Sequence, residues 1–411
     1  MNKPSEPGSR KHLDGIEALR GFAAMAILIF HLVWVGQVKL PSTIDFLKYY
    51  LGNGVPLFFV ISAFSLGYGY LGRLNNAKSL TAFYLRRLFR IAPLFYFMFV
   101  IQLIELKYVY DMVRPFRDII INMTFLFNFS PRLVDGIVPA SWSIGIEMIF
   151  YFILPGYLIL ARGYLGAVLC LVLSIILATE WSATVLSIKD VNSSFAAHGF
   201  VIGMPYFCFG VLALHVFRSM TSGSLASNGQ AIAYAMYGVS LVLLAALISN
   251  HTLLAGFAEH GVNVVQSSLW GLPFGLLVLA VAIHPIFILV NRLTLFWGRI
   301  SYSLYLTHPG IVYFLQKMGL YDAIHRACQG IPTFSFLVSA VFTIVVISAV
   351  SWLTFKFIEA PGMALGRKLA NGISSGIDKI PAALTPALEL SAVPVAATTN
   401  ARTASASDSR S

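Results

Sequence analysis

The sequence predicts an all-α, polytopic bundle of membrane helices, and three observations carry that prediction. Only 11% of the 411 residues are charged and 58% are hydrophobic, whereas a soluble domain carries roughly 25% charged residues. Mean hydropathy is +0.79, too high for a surface that meets water on every side. The apolar residues are gathered into runs of about 20, the length of helix that crosses ~30 Å of hydrocarbon, and none alternates with the period of a barrel strand.

Taken in order, residues 1–15 are polar and basic and read as a cytoplasmic tail. The run 16–38 is too long for a signal peptide and lacks a small-residue cleavage site, so it is a retained first span. Runs 55–71, 83–106, 141–161, 164–178 and 198–217 supply the next five spans. Runs 232–248, 268–290, 296–315 and 334–358 complete a set of about ten transmembrane helices. Residues 119–129 are apolar but too few to cross, so they are expected to lie at the interface or to re-enter it. The membrane domain thus occupies 16–361. From 371 to 411 the chain turns to Ala, Ser, Thr and Pro without aromatics, the composition of a disordered tail.

The formal charge is +11, from 28 basic and 17 acidic residues. These Lys and Arg residues sit in short segments between apolar runs, where they set membrane orientation, so nucleic acid is not an expected partner. With the amino terminus inside, 19 of the 28 basic residues fall on the inner side. That bias and an even number of spans place both termini in the cytoplasm. Two of the three cysteines, Cys170 and Cys208, lie inside apolar runs, which argues against a disulfide framework. No metal-ligand spacing is present.

Ionisable groups within spans are costly and are the first functional candidates. Arg20 and His31 are eleven residues apart in the first span, which puts them on one helical face about 16 Å apart along the axis. Depth counted from Arg20 at the inner boundary places His31 near mid-membrane. Arg86, Arg87 and Arg90 open the third span. Arg87 and Arg90 are i, i+3 neighbours whose guanidinium forks can converge on a phosphate, although inner arginines also serve orientation alone. Ser143 and Glu147 are i, i+4 neighbours entering a span from outside, with Glu147 about 12 Å deep. That count brings Glu147 to the layer of His31, where the two are expected to pair if their helices adjoin. His308 has polar neighbours that favour a packing role, and His215 and His284 lie toward span ends and read as structural.

Together these residues carry a resemblance. Ile16 to Gly21 followed by His31, then Gly54 to Phe64, Arg86 to Arg90, Trp142 to Tyr151, Ser301 to Pro309, and Phe357 to Pro361 are similar to the ordered motifs of the acyltransferase-3 family of bacterial integral-membrane acyltransferases. The resemblance implies about ten spans in the cytoplasmic (inner) membrane. It also implies transfer of an acyl group, most often acetyl, from acyl-CoA to a hydroxyl of an extracytoplasmic carbohydrate such as a polysaccharide or O-antigen. The family's Arg-x10-His motif falls on Arg20 and His31, its Arg-x-x-Arg motif on Arg87 and Arg90, and its Ser-x3-Glu motif on Ser143 and Glu147. In this reading the arginines hold the donor phosphates, His31 is the general base, Glu147 orients it, and a covalent intermediate on His31 or Ser143 is left open. Two departures stand out: Gly145 occupies a position where the family commonly has Ser, and Ala63 one where it commonly has Gly. The alternative from a different class is a proton-coupled transporter of an anionic metabolite, with His31 and Glu147 relaying protons. The lack of an internal repeat weighs against it.

Overall fold

Hydrocarbon offers no hydrogen-bond partner, so a chain of this hydropathy must satisfy its backbone within each segment. The computed structural model does so with helices alone. It describes residues 7–189, 193–222, 228–249 and 268–374, and among them no strand occurs. In chain order the helices are α1 (Pro7–Trp34), α2 (Gly54–Tyr70), α3 (Ala77–Tyr110), α4 (Phe116–Met123) and α5 (Trp142–Leu160). There follow α6 (Tyr164–Ser187), α7 (Ser193–His198), α8 (Phe200–Ser222), α9 (Gly229–Ser249) and α10 (Gly271–Ile283). The last five are α11 (Arg292–Arg299), α12 (Ser301–Lys317), α13 (Leu320–Ala327), α14 (Pro332–Thr354) and α15 (Ala360–Ser374).

Each of the ten apolar runs contains a helix, but among the described residues eight helices are long and apolar enough to cross a membrane. The other two runs form α10 and α12, of 13 and 17 residues, about 20 and 26 Å at 1.5 Å per residue. Both are buried along most of their length in the interior of the bundle, where a helix need not reach either surface. Lipid-facing helices show the opposite: α6 exposes Leu165, Leu169, Leu173 and Leu177, and α14 exposes Leu337, Val341 and Val345. An apolar stripe facing outward is destabilising in water and neutral in lipid.

The boundaries differ from the sequence reading at two places. Helix α1 begins at Pro7, inside the segment read as a tail. The tenth run continues past residue 358 through a π-helical turn (Phe355–Glu359) into α15, which ends at Ser374; residues 375–411 of the expected tail lie outside the described residues. Pro361 accounts for the irregular turn, since it has no N–H to give to the carbonyl four residues earlier. The segment 119–129 is too short to cross, as its length implies: it lies in α4 and a short 3-10 turn (Phe127–Phe129). Buried Asn122 and Asn128 fasten it over the start of α5, Asn122 Oδ1 accepting from Ile137 N at 2.8 Å and Asn128 Nδ2 donating to Trp142 O at 3.2 Å.

Helix α1 is the central element, packed on α2, α10, α11 and α12. Small residues permit the close approach that membrane helices use in place of hydrophobic attraction. A Cβ at Gly21 would stand 2.6 Å from Thr294 O on α11, and one at Gly366 on α15 would stand 2.5 Å from Phe89 Cβ on α3. In the loop before α5, Asp135 accepts from His198 Nδ1 at 2.6 Å, and this bond holds its carboxyl below the ordinary range. The imidazole also stacks on Trp142 with ring centroids 4.1 Å apart, closing the loop before α5 against the start of α8.

Candidate active site

Helices α1, α2, α3, α5 and α12 enclose a cleft of about 750 Å³, its open mouth included. Along α2 its lining runs from Val55 to Leu66, eleven residues and therefore about 16 Å of helix. Arg20 from α1 and Arg87 and Arg90 from α3 lie in the wall together with Glu147 and Tyr151 of α5, and Ser143 and Tyr305 line the cleft one turn before Glu147. Three guanidinium groups against one carboxylate, Glu147, leave the cleft wall with a surplus of positive charge that attracts an anion.

Each polar side chain is held in place. Glu147 Oε1 accepts from Ser62 Oγ at 3.0 Å and from the Tyr151 hydroxyl, which lies one turn along the same helix. The Arg87 guanidinium sits over the Tyr151 ring, 5.9 Å from its centroid. Tyr305 donates its single hydroxyl proton to Ala140 O at 2.9 Å, so in its 2.7 Å bond with Ser143 it is the acceptor and Ser143 Oγ the donor. Ser143 therefore positions Tyr305 and has no basic group taking its proton, which is not the arrangement of an activated nucleophile.

The arginine cluster divides. Arg90 is buried in an ion pair with Glu359 of the π-helical turn, Nη1 to Oε1 3.1 Å, and Glu359 Oε2 accepts from Ser303 Oγ at 2.6 Å. One of the two forks expected to meet a phosphate thus carries a resident carboxylate. Arg86 does not line the cleft; its Nη2 donates to Asn371 Oδ1 of α15 at 3.4 Å. Arg87 and Arg20 are left as the cleft arginines outside that pair.

The expected pairing of His31 with Glu147 is not what the structure holds. His31 instead meets His308 of α12, Nδ1 to Nε2 3.0 Å, with ring centroids 4.7 Å apart. The reason is depth. Arg20, expected at the membrane boundary, lies thirteen residues into the 28-residue α1, while His31 is three residues from the far end at Trp34. Glu147 shares its cleft with Arg20. The histidine pair lies beyond the cleft's Ser143 end, where the Tyr305 ring is 5.7 Å from that of His308. His215 is structural as expected, its Nε2 donating to Ala161 O at 2.7 Å.

The sequence motifs contain Ser62, Tyr151, Ser303, Tyr305 and Glu359, but sequence reasoning gave none of them a role. Tyr151 was legible, being i+4 from Glu147 on one face. Tyr305 was legible in the same way, i, i+3 with His308. Ser62 and Ser303 meet their carboxylates only through tertiary packing, and no spacing announces them.

With this geometry in view, the acyltransferase-3 family model, described as an acyltransferase domain, matches residues 13–354. The chain belongs to that family. No curated protein and no solved structure matches it. It is therefore a multi-pass membrane protein of an acyltransferase family, and the motifs quoted from its sequence line or adjoin one cleft. Its two departures have local causes. A Cβ at Gly145 would run into the Asn128 side chain and stand 2.6 Å from Phe127 Cε2, so a serine has no room there. Ala63 is fully buried against Gly210, whose own Cβ would stand 2.8 Å from the Ala63 methyl.

Proposed function

We propose that the chain is an O-acyltransferase that takes an acyl group, acetyl in the first instance, from acyl-CoA on the cytoplasmic side. It passes that group to a hydroxyl of an extracytoplasmic carbohydrate. The observation that carries this reading is the cleft: arginines in its wall, hydroxyl groups at its Ser143 end, and the histidine pair just beyond. Donor phosphates meet Arg87 and Arg20, and the thin pantetheine arm runs the roughly 16 Å of the cleft toward Tyr305. The acceptor hydroxyl gives its proton to His31, its oxygen forms the new bond to the thioester carbon, the C–S bond breaks, and the thiolate recovers the proton. Family membership favours this chemistry over anion transport.

Purified protein in lipid nanodiscs supplied with radiolabelled acetyl-CoA and cell-envelope glycan tests the reading: label is expected in the glycan. Label that crosses proteoliposomes without covalent transfer would support the transporter instead. Arg87→Ala is expected to weaken acetyl-CoA binding about tenfold to a hundredfold, the worth of a hydrogen bond to a charged group. Arg87→Lys recovers part of it, because an ammonium lacks the planar fork.

The orientation is proposed with both termini cytoplasmic and is tested by impermeant thiol labelling. Arg132→Cys, in an exposed loop, is expected to react from outside intact cells, and exposed Lys368→Cys on α15 only after lysis. Cys170, the one partly exposed native cysteine, is replaced by Ala in the background. The reverse labelling pattern would place the arginines on the wrong side for a cytoplasmic donor.

A further inference from the structure

The imidazole pair contains more information than its distance. His308 is fully buried, and its Nδ1 stands 3.1 Å from Leu304 O. A carbonyl only accepts, so Nδ1 carries the hydrogen, and in a neutral imidazole Nε2 is then a bare acceptor. That acceptor faces His31 Nδ1 at 3.0 Å, and Ile27 O stands 3.0 Å from the same nitrogen. Both demands on His31 Nδ1 agree: it must donate. The remaining nitrogen of His31, Nε2, is left with its lone pair.

We propose that His308 is a positioning residue that holds His31 in the Nδ1–H form and so reserves His31 Nε2 for the acceptor hydroxyl. When His31 Nε2 takes the proton, the imidazolium's Nδ1–H already points at the His308 lone pair, which stands where a carboxylate stands beside other catalytic histidines. The role of orienting the base, expected of Glu147, belongs to His308, while Glu147 stays among the cleft hydroxyls. The catalytic consequence rests on the acyltransferase reading; the hydrogen-bond order does not.

The test uses the full-length protein in nanodiscs with 15N-labelled histidine, and His31 assigned by its absence in His31→Gln. Wild type is expected to show His31 and His308 both protonated at Nδ1. His308→Gln keeps a donor toward Leu304 and an acceptor toward His31, so it is expected to retain a single His31 tautomer and most of kcat. His308→Leu is expected to show a second His31 tautomer and a fall in kcat of at least about tenfold, with the KM for acetyl-CoA unchanged. An Nε2–H His31 in wild type would overturn the proposal. So would a His308→Leu protein with one Nδ1–H tautomer and full kcat, since Ile27 O alone would then suffice. If wild type shows the stated tautomers but transfers no acyl group, the positioning stands and the function assigned to it falls.

Discussion

His31→Ala is expected to lower acyl transfer from acetyl-CoA by at least about a hundredfold, the usual contribution of a positioned general base. Binding of the donor is expected to stay within about twofold, because His31 does not line the cleft that holds the arginines. Insertion is also expected to survive: His31 is partly exposed, and its removal costs one hydrogen bond to His308, one to its own helix and an edge-on ring contact with Phe30. Single-turnover transfer of label, measured beside acetyl-CoA binding on the same preparation, separates the two effects. Full transfer by well-inserted His31→Ala protein would remove the imidazole as base. Glu147, the carboxylate within the cleft, would then take its place as the candidate.

Glu359→Ala is expected to destabilise the protein by about 3–5 kcal/mol, the cost of leaving one partner of a buried ion pair without the other. Glu359 is fully buried, and it holds both Arg90 of α3 and Ser303 of α12. Three elements meet at that one carboxylate. Its loss leaves the Arg90 guanidinium with the Met363 sulfur, 3.0 Å away, as a weak acceptor. The double substitution Arg90→Met with Glu359→Met removes both charges and is expected to recover most of the stability, as apolar replacements of buried pairs often do. Thermal unfolding in one detergent compares the three proteins. A Glu359→Ala protein as stable as wild type would show that the pair holds nothing together.

The two predictions concern residues that were legible to different degrees. His31 stood out because an imidazole within an apolar run has few cheap explanations, and the eleven-residue spacing put it on one face with Arg20. Glu359 sat in a quoted motif with no role, because nothing in one sequence says that a π-helical turn aims it at a helix some 270 residues earlier. The arginines show the same limit: three basic residues within five positions of α3 look equivalent in sequence. Packing sends Arg86 to α15 and Arg90 to Glu359, and leaves Arg87 beside Tyr151.

By itself the sequence determined the helical class and the ordered set of apolar runs, and it singled out Arg20, Arg87, Arg90, Ser143 and Glu147, which line one cleft, together with Arg86 and His31, which do not. These follow from composition, run length and the 3.6-residue period, all of which are local quantities. It also placed the chain in its family through motifs that are contiguous in the chain. Tertiary structure decided which runs stay short in the interior, and how deep Arg20 and His31 sit. It also decided that His308, rather than Glu147, meets the candidate base. Depth counted along one helix has no origin until neighbouring helices supply it. Arg20 lies thirteen residues inside α1 and shares its cleft with Glu147 from another helix, and a charge with such company no longer marks the membrane surface.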